Sequence, residues 1–472
     1  MAQRCQIHVL PIVRLTKASA SPGPECQAVE IAHGAQKVSY WRQPELDRKA
    51  LWKTFARFPL VLNADGSLWE PACLWLLDKA EARPLASSSL KPIAEDLRAY
   101  KQWLDDMDLD WADFSAPDRY NRPTYLYRTH LQGQIHSGAL KDTTACRRML
   151  SVIGLYRFLL SNERMNFAPV NAPWLESRVG RLFKDYKGFT QLQETISTDL
   201  AIRTSKRDYA WDESIDDGGK LRPLTVPEQQ CLIRTLKMLG NTEYALMHYV
   251  ALLTGARVQT VLTLRFGAFT KPMDSVPQWP LKLQCGPGSA IDTKWDVANV
   301  YLCIPRPLYE MLHVYACSER AQNRRAKSYL GESEANYLFL TNQGQAYYES
   351  KAELHAKLHS GQLRTVSKRT GQNLREFISE QVIPLMNETL PGFKYKFHDL
   401  RATFGMNWVD HVMRDGEEKQ KYLWAREQLR KLMWHSHPST TDHYLEYRVN
   451  MHHLKAAQAD WGKHLIEAIN LA

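Results

Sequence analysis

A mostly α-helical chain with a small β-sheet in its C-terminal half is what three features of this sequence predict. Apolar residues recur at three- and four-residue steps through residues 88–165, and helical patterning returns from about 226, the period of one helix face. A stretch richer in Pro, Gly and β-formers over 266–305 interrupts the second series, and "NVYLCIP" within it reads as a strand. The 472 residues make two or three domains at about 100–200 residues each.

Residues 1–85 form an N-terminal extension that carries no motif. Within it "TKASASPGPE" is a loop by composition, and "FPLVLNADGSLWEPACLWLLDKA" predicts a short strand, an Asp-Gly turn and a helix. Residues 86–168 read as a small helical domain. "SLKPIAEDLRAYKQWLDDM" sets Ile93, Leu97, Tyr100 and Leu104 on one helix face, and "DTTACRRMLSVIGLYRFLLSNE" does the same with Met149, Ile153, Tyr156 and Leu160.

Residues 169–220 lose that periodicity and gain charge. Between Arg178 and Arg207 stand seven basic residues (Arg178, Arg181, Lys184, Lys187, Arg203, Lys206, Arg207) against three acidic ones. Such a segment reads as a basic linker, either solvated or running along a phosphate backbone. The last domain, 221–472, opens at "LTVPEQQCLIRTL", where Thr225 and Glu228 fit a capping box with Pro227 in the first turn.

Sixty-one Lys and Arg against 51 Asp and Glu leave a net charge of +10, which points to a polyanion and most simply to nucleic acid. The eight cysteines are scattered without a C-x-x-C pair, so neither a zinc site nor a disulfide framework is expected, and a reducing cytoplasm fits best. His8 and Arg14 interrupt the N-terminal apolar run, unlike a secretory signal, and "ALMHYVALLTGA" is too short to span a bilayer. No membrane association is expected.

Four stretches of the last domain carry candidate chemistry. In "LLTGARVQTVLTLRF", Arg257 follows the glycine that ends one helix and opens the next, where its guanidinium can face an anion. "KFHDLRATFG" sets His398 and Arg401 three residues apart on one helix face. In "AIDTKWDVANVYLCIP", Lys294 stands just before a strand, as at a hairpin tip. "LMWHSHPSTTDHYLEY" packs three histidines, two threonines and two tyrosines into sixteen positions.

In this order, the stretches resemble the active site of the tyrosine recombinases, also called phage integrases. That family has a T-G-x-R motif, a hairpin lysine, H-x-x-R, and a final H-x-x-x-x-T-T-x-x-Y run. Thr254 to Arg257 match the first, His398 to Arg401 the third, and His435 to Tyr444 the last, with Thr440 and Thr441 in register. The motifs span about 220–450, and residues 88–165 look more loosely like the family's helical, SAM-like core-binding domain.

The resemblance implies that Tyr444 is the nucleophile and Tyr447 a bystander. Arg257 and Arg401 would clamp the non-bridging phosphate oxygens with forked bonds. His398 would assist the phenol, whose ordinary pKa is about 10, in losing its proton. His435 would donate to the phosphate, and Lys294, with Lys282 as fallback, would protonate the departing 5′-oxygen. The product would be a 3′-phosphotyrosyl link, formed with no cofactor, neither metal nor ATP. Lys141, Thr143, Arg147 and Arg148 in the helical domain, with Arg203, Lys206 and Arg207 in the linker, are the candidate DNA contacts.

Two positions depart from the family pattern: Thr260 stands where an acidic residue is common, and Trp434 replaces the usual glycine. The implied protein is a site-specific recombinase or integrase of a mobile element, cytoplasmic and nucleoid-associated in a bacterium or phage. Its partners would be double-stranded recombination sites and accessory bending or directionality factors. A monomer in free solution would become a tetramer on DNA through an amphipathic helix over 453–472, passed to a neighbouring subunit. A type IB topoisomerase-like relaxing enzyme and a non-cleaving DNA-binding descendant are the competing readings.

Overall fold

The computed structural model describes residues 4–15, 18–19, 26–33, 36–42, 53–82, 87–184, 190–204, 213–414 and 419–451. The chain divides into two units, residues 1–207 with 356–367, and residues 208–355 with 368–472. The helix expected over 453–472 lies outside the described residues, as do Lys206 and Arg207.

The first unit joins a long antiparallel strand pair to four helices. Strand Gln6–Leu15 pairs with Lys53–Leu62 from Gln6↔Leu62 to Leu15↔Lys53. Asp65 then closes the Asp-Gly turn by accepting from the Ser67 N–H at 2.9 Å, and helix Glu70–Ala82 follows, as the sequence predicts.

Helices Ser87–Asp106, Pro123–His136 and Asp142–Ser161 gather around Tyr100, Tyr127 and Tyr156. Tyr100 and Tyr156 share a hydroxyl–hydroxyl bond of 2.8 Å, and Tyr156 also donates to the Trp111 carbonyl at 2.6 Å. The expected faces are largely the buried ones, but Leu160 is 45% exposed. Val152, Leu155 and Leu159 are buried too, so the stripe's centre lies to one side of the line through 149, 153, 156 and 160. Leu160, at the helix end, is left outside it.

Within 169–220, the span expected as a basic linker, strands Glu176–Lys184 and Thr190–Thr198 form a hairpin. A second, two-residue hairpin pairs Ile215–Asp216 with Lys220–Leu221 and belongs to the second unit.

That unit is mostly helical. Helix Val226–Leu239 starts at the predicted cap, where the Thr225 N–H donates to Glu228 Oε2 at 2.7 Å. Helix Thr242–Thr254 packs against helix Asp399–Val412, and the antiparallel pair Leu281–Cys285 with Val300–Ile304 makes the small sheet. One core surrounds Leu232, Met247, Val250, Leu302 and Leu400. Another gathers Ile215, Leu221, Met406, Leu429, Met433 and Tyr444 between helix Asp399–Val412, helix Lys419–Leu432 and a helical run over 438–451. Among the described residues, no helix is long and apolar enough to cross a membrane.

Candidate active site

Helix Thr242–Thr254 ends at Gly255 with φ 68°, the left-handed cap conformation that glycine takes without strain. A Cβ there would lie 2.5 Å from the Phe404 ring, so the position needs glycine twice over. The turn aims the Gly255 carbonyl at Arg401, whose Nη1 donates to it at 2.7 Å, and sets Arg257 at the cap of the next short helix, Val258–Leu262. The T-G-x-R spacing thus brings the two motif arginines together. Their mutual repulsion and burial lower the Arg257 pKa to about 10, with burial the larger cause.

Arg401 is 2% exposed and its guanidinium is tied on three sides: Nη1 to Gly255, Nη2 to the Met433 carbonyl, and Nε to Asp217 Oδ2 at 2.7 Å. His398 caps the same helix. Burial first, then the arginines and Lys294, push its pKa down to about 4, so the ring is neutral near pH 7.

Tyr444 is fully buried, its ring against Gly405, where a Cβ would come within 2.5 Å of it. Its hydroxyl donates to Asp217 Oδ2 at 3.0 Å. His435 stacks on the Tyr444 ring with centroids 5.8 Å apart. The Thr441 hydroxyl meets His435 Nδ1 at 2.9 Å, and His435 Nε2 meets Asp217 Oδ2 at 3.2 Å. Because a carboxylate only accepts, Nε2 carries the proton and Thr441 donates to Nδ1. The Asp217 carboxylate therefore sets the tautomer of His435, and the second threonine of the run satisfies the other ring nitrogen.

Lys294 lies in the loop between the two strands of the sheet. Its ammonium would be 2.8 Å from a Cβ on Gly218, the residue after Asp217. Lys282 is on the strand itself, exposed and paired with Cys303. Of the two lysines, the structure sets Lys294 beside the other motif residues. Tyr447 instead lines a groove with Leu224 and Met406.

No protein-family model matches the chain. No curated protein matches it either. Among the solved structures that resemble it are two of one integrase. One is the Tn1549 transposon integrase in complex with circular intermediate DNA, 13% identical, with a TM-score of 0.43 over 79% of this chain and 94% of that one. The other is a variant of that integrase in complex with transposon right end DNA, 12% identical, with a TM-score of 0.42 over 79% and 94%.

Asp217 is absent from the sequence reading. It lies in the span expected as a linker, forty residues before Arg257, and nothing local marks it. Thr260, at the family's acidic position, donates instead to the Asp292 carbonyl at 2.8 Å. Trp434 takes the glycine position with φ 55° and secures it by donating from its indole to the Tyr301 carbonyl at 3.1 Å.

The candidate DNA contacts are divided. Lys141, Thr143 and Arg203 are exposed, and Arg148 is half-buried. Arg147 is bound to the buried Asp96 at 2.9 Å, an interaction that also ties in Ser151 at 2.9 Å. Its chief contact is within the helical unit.

Proposed function

We propose that this chain cuts and rejoins DNA as a tyrosine recombinase, through a covalent phosphotyrosyl intermediate. One observation supports the reading above the others. Tyr444 Oη and His435 Nε2 from the last motif and Arg401 Nε from another all point at one carboxylate oxygen, with Arg257 Nη2 of a third motif 3.4 Å from its twin. A nucleophile, a neutral donor and two guanidinium groups thus converge on one anion-sized place. A phosphodiester under attack by a phenol requires that arrangement.

With a scissile phosphate in that place, Tyr444 Oη forms the bond to phosphorus as the bond to the 5′-oxygen breaks. Arg257, Arg401 and His435 meet the charge that grows on the non-bridging oxygens. The phenolic proton passes to neutral His398, and Lys294 gives a proton to the leaving 5′-oxygen. Strand, phosphate and enzyme are then joined as a 3′-phosphotyrosyl ester, which a 5′-hydroxyl reverses. The wider reading is an integrase of a mobile element that acts as a tetramer on paired double-stranded sites, with accessory bending or directionality factors.

A suicide DNA substrate, nicked so that the released 5′ fragment diffuses away, tests the reaction. Wild type should accumulate a protein–DNA adduct, and Tyr444→Phe should accumulate none while still binding DNA. An adduct that survives Tyr444→Phe and disappears in Tyr447→Phe would transfer the role to Tyr447.

A further inference from the structure

Asp217 occupies the place that the proposed reaction assigns to the phosphate. Its carboxylate takes Arg401 Nε at 2.7 Å, Tyr444 Oη at 3.0 Å and His435 Nε2 at 3.2 Å on one oxygen, and Arg257 Nη2 at 3.4 Å on the other. It is 2% exposed. We propose that Asp217 is a built-in phosphate mimic that closes the catalytic centre of the free protein and is displaced by the scissile phosphate. This rests on the recombinase reading for the identity of the competing ligand.

The carboxylate and the phosphodiester exclude one another. Two anions about 3 Å apart in a poorly solvated site repel strongly, and the repulsion grows as the phosphate gains charge in the transition state. The same contacts explain why the free protein keeps Asp217 there. An empty centre would leave Arg401 buried beside Arg257 with no counter-charge, which is strongly destabilising.

Asp217 is also a poor candidate for a base. Its Oδ2 already accepts three bonds, and the histidine and arginines hold it far below the ordinary carboxylate range. Tyr444, held well above its usual pKa by burial and by this carboxylate, does not yield its proton to so weak an acceptor.

The hairpin that carries Asp217 is built to release it. Ile215 and Leu221 anchor its two strands in the core beside Tyr444, and the Arg222 N–H donates to Asp399 Oδ1 at 3.2 Å. Register Asp216↔Lys220 leaves Asp217, Gly218 and Gly219 as the tip. The two glycines have φ 71° and 150°, so the tip can refold while the base stays fixed. His443 Nδ1 holds the Asp216 carbonyl at 3.0 Å, so a position without an assigned role in the Tyr444 motif becomes the tip's fastening.

The test uses full-length wild type, Asp217→Asn and Asp217→Ala. Without DNA, millimolar inorganic phosphate against chloride at matched ionic strength should raise the melting temperature of both variants saturably and leave wild type nearly unmoved. With the suicide substrate, both variants should form adduct about tenfold faster than wild type, the gain from releasing a closed state. Equal phosphate responses in variants and wild type would overturn the mimic. So would a tenfold slower adduct rate in Asp217→Asn, which would make Asp217 a positioning residue. Should Asp217→Ala fail to fold, Asp217→Asn, which keeps the shape, gives both readings. If no protein forms adduct but the phosphate difference is present, the mimic stands and the recombinase reading falls.

Discussion

The two units bury polar groups in opposite ways. In the first, Tyr100 pairs with Tyr156, Tyr156 with Trp111, and Asp96 with Ser151 and Arg147, all within the unit, while the buried Tyr127 hydroxyl has no hydrogen-bond partner. In the second, two arginines, a histidine and a tyrosine from distant segments all depend on one carboxylate from a hairpin tip. The first set of bonds joins helices of one core and serves stability. The second is completed by a group that another anion can replace, which is what a binding centre requires.

The comparison breaks most visibly at the arginines. Arg257→Lys and Arg401→Lys keep charge but lose the fork, so each should slow adduct formation by about 10²–10³ while DNA binding changes little. Filter binding alongside single-turnover cleavage would check this, and equal losses in both would reduce the arginines to DNA anchors. Next is the lysine. Lys294→Ala should cut the rate by about 10²–10⁴ on ordinary DNA and recover on a bridging 5′-phosphorothiolate, whose sulfur leaves without a proton. Recovery of Lys282→Ala alone would assign the role to Lys282.

In the first unit the expected loss is of stability alone. Tyr156→Phe leaves the Trp111 carbonyl and the Tyr100 hydroxyl short of a partner, at about 1–3 kcal/mol. Hydrogen exchange over 142–161 should speed up accordingly, while adduct formation per folded molecule stays unchanged.

The motif residues were legible because they depend on local spacing. The three residues from His398 to Arg401 span the first turn of one helix, and the nine from His435 to Tyr444 run from a turn into the helical run over 438–451. The capping box at Thr225 and the strand at Val300–Ile304 were legible for the same reason. Asp217 was not, because its role exists only through contacts 40 to 227 residues away. The bond of Arg147 to Asp96 was not legible either, because Asp96 is on another helix. Trp434 departed from the family glycine without breaking the turn, since the Tyr301 carbonyl compensates for its left-handed backbone.

The last expected effect is on pH dependence. His248 and His398 are both held near a pKa of about 4, chiefly by burial, against 6.5 when unfolded. Below pH 6.5 the unfolded chain therefore takes up protons that the folded chain refuses, and stability falls as pH drops from 6.5 toward 4. Exchange protection of helix Asp399–Val412 should decline over that window, and His398→Gln should make the decline shallower.

In the proposed reaction one tyrosine attacks a phosphate held where the motif residues converge. Peptide mapping of the trapped adduct by mass spectrometry identifies the attacking residue. It should find a nucleotide attached through its 3′-phosphate to Tyr444, with a free 5′-hydroxyl on the released strand. Attachment to any other residue, or a 5′-phosphate on the enzyme, would contradict it.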